Sequence, residues 1–283
     1  MPTRSEIQRR LDELEGPIRN RFLEAVRDAI DATSIAEVER LIRAGDLEEI
    51  GRAISLGEMA VAGGALAEVT ESMRDAYLAG GRIEQREARI RFDVRNTRAE
   101  AWLRTQSSQF VTRVVEQQRN AIRIAVESGT RLGRNPKTTA LDIVGRIDAT
   151  GRRRGGIVGL ADNQARYVAN AREQLLSGDS EQMRAYLTRG RRDRRFDAIV
   201  RRAIAEDRPV AAKDVDRLIA RYSDRMLMLR GETIGRTEAM QGFNAAREET
   251  WEQAIDQGSI SRQNVTKTWQ TDRDWETDRK SVV

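Results

Sequence analysis

The chain has 283 residues, with 50 Lys+Arg against 45 Asp+Glu, and neither histidine nor cysteine. That composition excludes imidazole bases, thiolate nucleophiles, disulfides and every Cys- or His-ligated metal site, so any chemistry would fall to carboxylates, Lys, Tyr, Ser or Arg. Only Lys137, Lys213, Lys267 and Lys280 are lysines, leaving 46 arginines, a bias that fits a GC-rich coding sequence as well as a function.

Aromatics at 5% and four prolines point to helices packed through Ala, Leu, Ile and Val. The amino-terminal stretch carries Arg4, Glu6, Arg9 and Arg10 and lacks the apolar core of a secretory signal, so no leader is expected. Gly16-Pro17 is predicted to separate two short amphipathic helices, with Pro17 in the first turn of the second. Ser34-Ile35-Ala36-Glu37 and Ser55-Leu56-Gly57-Glu58 both fit a capping box, in which hydroxyl and carboxylate satisfy each other's orphan amides. Met59–Ala67, with a small-residue patch over 60–67, is the longest near-apolar run. It falls far short of the roughly 20 residues that span a bilayer, so no membrane partner is expected. Between Asn96 and Glu127, Val111, Val115, Ile122 and Ala125 recur at helical spacing, interrupted by Gln118. Ser128-Gly129 through Asn135-Pro136 reads as a break, with Gly ending one helix and Pro136 opening another.

Further along, Asp179 and Ser180 cap a helix that begins near Glu181. Pro209 introduces two long helices, Val215–Leu229 and Glu232–Ile255. On the second, Met240, Phe243, Trp251, Ala254 and Ile255 form the expected core face. After Gly258, Val265-Thr266-Lys267-Thr268-Trp269-Gln270-Thr271 alternates as a strand would. The expected fold class is mainly α: an elongated multi-helix assembly with a small C-terminal α+β element whose strand lies near 265–271. Three regions are delimited: a helical region 1–128, a middle helical region 129–208 with a basic glycine-rich loop and an arginine cluster, and a C-terminal region 209–283.

Two basic segments are the candidate contact surfaces. The glycine-rich loop 151–159 carries Arg152, Arg153 and Arg154. It lacks the Gly-Lys-Ser/Thr and the preceding strand of a phosphate-binding loop, so it reads as a mobile or partner-contacting basic loop. Residues 184–202 hold eight arginines against Asp193 and Asp197, a net +6 in a chain whose total is +5. Within that cluster Arg189, Arg191, Arg192, Arg194 and Arg195 are the proposed contacts to nucleic acid or to an acidic protein face, since a planar guanidinium donates paired hydrogen bonds to phosphate or carboxylate. The acid groups Glu248, Glu249, Glu252 and Asp272, Asp274, Asp278 have no fixed ligand geometry and read as solvated or locally paired. No catalytic residue, cofactor or metal ligand is assigned.

The C-terminal stretch carries a resemblance. Arg236-Thr237-Glu238-Ala239, then Asn244-Ala245-Ala246-Arg247, then Gly258, then Lys267-Thr268-Trp269-Gln270-Thr271 and Asp274 is similar to the Mu F-like minor head proteins of tailed phages, also called head morphogenesis proteins. Their domain runs Arg-Thr-Glu and Asn-x-x-Arg on one helix, a turn, and a Lys-x-Trp-x-Thr strand leading to an Asp. Residues 135–147, with Gly159-Leu160 and Gln164-Ala165, also look like longer members of the group. The sequence departs from the pattern after Asp274, where Trp275-Glu276-Thr277-Asp278-Arg279 replaces a basic element followed by His or Cys. That end of the domain is therefore expected to be incomplete. Arg236, Thr237, Glu238, Asn244, Arg247, Trp269 and Asp274 are expected to be structural, with the charged and amide groups bonded to the following turn and strand.

The resemblance implies a non-enzymatic protein of the capsid interior, in the host cytoplasm during assembly, present in several copies near the portal. The implied partners are the portal protein, the major capsid protein and packaged double-stranded DNA. A stand-alone helical DNA-binding or scaffolding protein is the alternative, and a carboxylate- or metal-dependent enzyme ranks below both.

Overall fold

The structure is a computed structural model that describes residues 4–54 and 65–265. Within them it is mainly α, with ten helices and one small antiparallel hairpin. The capping box at Ser55–Glu58, the start of the small-residue run and residues 266–271 of the expected strand lie outside the described residues. Val265 closes a short helical turn, Arg262–Asn264. Among the described residues no helix is long and apolar enough to cross a membrane.

Three long helices form the spine: α1 (Arg4–Ala32), α4 (Ala65–Ala88) and α10 (Ala212–Asp256), each touching the other two. The break expected at Gly16-Pro17 does not occur, because α1 runs straight through it. Pro17 is exposed and forfeits one backbone hydrogen bond, a cost of about 3 kcal/mol. Against that, Ile18 and Phe22 are fully buried and Leu23, Ala25, Val26 and Ala29 nearly so. Each large side chain among them contributes about 1.5–3 kcal/mol, which outweighs the proline.

Likewise α10 is one helix of 45 residues where two were expected, because Arg230 and Gly231 at the anticipated break are buried. Gly231 lies against Leu23 and Arg19 of α1, and a side chain at Gly235 would reach the Glu15 carbonyl at 2.6 Å. Gly80 of α4 likewise admits the Phe243 carbonyl. Each helical glycine sacrifices about 1 kcal/mol of propensity, and the close backbone approach is what it permits.

On α10 the expected core face is rotated. Phe243 and Ala254 are buried, but Met240 is 45% exposed. Glu238, Thr250 and Gln253 take buried positions instead, because each has a hydrogen-bond partner inside.

The remaining helices surround this spine. They are α2 (Ile35–Ala44), α3 (Leu47–Ala53), α5 (Thr97–Arg131), α6 (Pro136–Val144), α7 (Asp162–Leu176), α8 (Ser180–Leu187) and α9 (Asp197–Ala205). Ser34 caps α2 by accepting the Glu37 amide, while the Glu37 carboxylate turns to Arg40 and leaves the box half made. Asn135 caps α6 with Pro136 in its first turn, and Asp179 caps α8. Ser128-Gly129 does not end α5; the helix continues to Arg131, and Gly133 at φ +62° makes the turn. Gln118 is no interruption either. It is buried, and its Oε1 accepts the Gly159 amide at 2.7 Å.

The hairpin pairs β1 (Arg146–Ile147) with β2 (Arg153–Arg154), Arg146 opposite Arg154. One contiguous core includes Ile18, Ile50 and Phe110 from the first sequence region, Ile143, Leu175, Tyr186 and Val200 from the second, and Ile219 and Tyr222 from the third.

Candidate polyanion-binding surface

The glycine-rich loop divides into an exposed tip and a buried stem. At the tip, the Thr150 hydroxyl and amide both donate to Asp148, which holds that carboxyl below its usual range. Arg154 lies 3.5 Å from Asp148, whereas the side chains of Arg152 and Arg153 make no hydrogen bond or ion pair among the described residues.

The stem's polar groups are already committed. The Gly155 amide donates to Asp224 at 2.9 Å, and the Ser223 hydroxyl donates to the Gly156 carbonyl. The Gly159 carbonyl accepts Arg230 Nη1 at 2.7 Å, and the Ile157 and Val158 amides donate to the Ile143 carbonyl. Gly155 and Gly159 have φ of +75° and +83° and sit against Ala220 and Val26. Glycine is required there by both backbone geometry and space. The stem is thus a packed structural turn and not the mobile loop the sequence suggested; only its arginine-bearing tip is free to meet a partner.

The arginine cluster likewise separates into two kinds of residue. Arg192 is mostly buried and donates two parallel hydrogen bonds of 2.9 Å to Asp197. Arg195 grips Asp193 in the same way, and that contact holds the Asp193 carboxyl down at about 2. Arg189 donates to Gln174 and the Tyr222 hydroxyl while lying over the Tyr222 ring. These three order the segment. Arg191 and Arg194 are exposed, with side chains that make no hydrogen bond or ion pair among the described residues, and so do Arg184 and Arg202. The free charge of the cluster therefore lies on fewer side chains than its sequence suggests.

The motif residues on α10 also divide. Glu238 is buried and accepts Arg113 Nη2 and Gln106 Nε2 from α5. Arg247 donates to the buried Glu84 of α4 at 2.6 Å. Both tie α10 to preceding helices, not to the following turn and strand as expected. Arg236 and Asn244 are exposed and Thr237 half-buried, and their side chains bond nothing among the described residues. Trp269 and Asp274 lie outside the described residues. Of the acidic groups, Glu249 pairs with Arg98 and Glu252 with Arg262. Asp272, Asp274 and Asp278 are not described.

Sequence reasoning missed the most charged interior feature. Arg134, Arg146 and Arg172 converge on Asp142 and Asp216, with N–O distances of 2.5 to 3.2 Å. Arg134 Nε is 2.7 Å from Asp142 Oδ2 but is not aligned for a hydrogen bond. Burial lowers the Arg172 pKa. Asp216 is pushed up by burial, yet ends below its usual value through Arg172 and the neighbouring guanidinium groups. An adjoining cavity of about 30 Å³, bordered by Arg134, Arg172 and Ser128, has room for a water.

Arg230 is a second surprise. It is buried against Phe22 and bonded to Gln117 and Gly159, with no carboxylate in ion-pair contact among the described residues, and burial pulls its pKa down to about 10. Arg146 and Arg134 lie only four and eight residues from Asp142, but Arg172 with Asp142 and Arg230 with Gln117, 30 and 113 residues apart, leave no local signal.

The arrangement presents exposed arginines on a helical scaffold. Among the described residues no three acidic side chains are grouped to hold a metal ion. Compared with known proteins, the chain matches no family model, no curated protein and no solved structure.

Proposed function

We propose that the chain is a minor head protein of a tailed phage, of the Mu F-like kind, acting in head morphogenesis by binding and not by catalysis. Its partners in this reading are the portal protein, the major capsid protein and packaged double-stranded DNA, and its place is the capsid interior. One observation carries the reading. Arg236-Thr237-Glu238 and Asn244-x-x-Arg247 lie on a single helix that ends at a turn through Gly258, the layout that the resemblance implies. The buried Glu238 is matched by Arg113, and Arg247 matches the buried Glu84, which gives that motif a physical purpose, since a charge taken out of water must be paired.

The test is association with assembled particles. The chain should co-sediment with purified heads and be retained by the tagged portal protein of the same phage. A chain absent from assembled heads overturns the proposal.

A further inference from the structure

The exposed side of α10 carries Lys213, Arg217, Arg221 and Arg225 at four-residue intervals, while Val215, Leu218, Ile219, Tyr222 and Met226 fill the opposite side. Like charges at this spacing repel one another and weaken a helix, so the row by itself costs stability. At 1.5 Å per residue it extends about 18 Å.

The two basic segments flank it. On one side Gly155 packs on Ala220 and donates to Asp224, which stands the hairpin tip with Arg152 and Arg153 beside the row. On the other, Arg225 donates to the carbonyls of Arg191 and Arg192 and lies 3.4 Å from Asp193. Arg217 covers the Phe196 ring at 5.2 Å, so the loop with Arg191 and Arg194 adjoins the row as well. Segments about forty residues apart are thus joined by α10 into one face. The carboxylates there are occupied: Asp148 by Thr150, Asp193 by Arg195, Asp214 by Arg217, and Asp224 by the Gly155 amide. Lys213, Arg221, Arg152, Arg153, Arg191 and Arg194 make no ion pair among the described residues.

We infer that this composite face binds the phosphate backbone of duplex DNA without regard to sequence, with Arg221 at its centre. A protein interface would be expected to have an apolar core depleted of charge, whereas this face is charged from Lys213 to Arg225 and has the exposed Ile147 and Met228 only at its edges. Single strands are bound by bases stacking on open aromatic rings. Here Tyr222 is buried beneath Arg189, and Phe196 is covered by Arg195 and Arg217. The inference deepens the DNA contact named in the proposed function and does not depend on portal association.

The experiment measures binding of the full chain to a 30-base-pair duplex by fluorescence anisotropy between 50 and 200 mM NaCl. Six phosphate contacts predict a slope of about −5 in log K against log salt. Arg191→Gln/Arg194→Gln/Arg221→Gln should flatten that slope by about 3, and Arg152→Gln/Arg153→Gln by about 2. Arg104→Gln/Arg123→Gln on α5 removes two charges and should leave the slope unchanged. Arg221→Lys should retain it, and melting curves establish that each variant is folded. An unaltered slope in either face variant, an equal loss in the α5 control, preference for single strands, or equal salt-sensitive capture by polyglutamate each overturns the inference. No binding by the unaltered chain sinks it while leaving head association standing. Binding without head association sinks only the proposed function.

Discussion

Asp142 and Asp216 between them accept three guanidinium groups from separate segments, so the interior holds one more positive than negative charge at that point. Removing either carboxylate would strand buried arginines, which is the expensive way to break such a cluster. Asp224 is the opposite case, a half-buried carboxylate whose main partner is a backbone amide. Burial raises its pKa. The Gly155 amide, Arg154 and Arg221 pull against that rise, and Asp148 adds to it. A raised carboxyl favours the folded state at low pH, where it keeps its proton, and loses that advantage as pH climbs through the folded value. Asp224→Asn keeps an acceptor for Gly155 and removes the titration. The variant should therefore be more stable than the native chain by about 1 kcal/mol at pH 7. The gap should close as pH falls towards 4 in a series of thermal melts. A constant gap across that range would show that burial of the charge is not the cause.

Identical substitutions on the spine helices should act in opposite directions. Gly16 of α1 meets nothing beyond its chain neighbours, so Gly16→Ala should stabilise by about 0.5 kcal/mol, the gain in helix propensity less the crowding of the new Cβ by the Pro17 ring. Gly80 of α4 faces the Phe243 backbone, and Gly80→Ala should destabilise by about 1–3 kcal/mol because neither helix can move aside. Denaturant titration of the two variants measures both.

The contrast also shows what was legible in the sequence. Helix starts at Ser34, Asn135-Pro136 and Asp179 were readable because a cap and its helix lie within four residues. The continuity of α1 through Pro17 was not, since it depends on α4 and α10 covering Ile18 and Phe22. The α10 row was present in the sequence at plain i+4 spacing but was hidden among 46 arginines. Only its exposure and its two flanks distinguish it.

At the scale of the whole molecule, the question is whether the three sequence regions are domains. Their contacts argue against independence. Gly159 of the middle region packs on Val26 of α1 and Leu227 of α10, and its amide is satisfied by Gln118 of α5. Arg230 of the C-terminal region lies over Phe22 of α1 and bonds Gln117 of α5. A chain beginning at residue 129 would keep α6 to α10 but expose Phe243 and Ala246, which pack on Leu11, Ile83, Tyr77 and Ala99, and it would leave the Gly159 amide without Gln118 and Arg230 without Gln117 and Phe22. At about 25 cal/mol per Å² of apolar surface, exposing several such side chains costs more than the 5–15 kcal/mol by which a domain is ordinarily stable. The fragment 129–283 should therefore show helical circular dichroism without a cooperative melt, and its amides should exchange rapidly. The full chain should melt in one transition, with α1 and α7 amides protected to the same extent, because they share one core. If the fragment melts cooperatively, the boundary near residue 128 is a domain boundary after all. The basic face, built entirely from residues beyond it, would then be portable on its own.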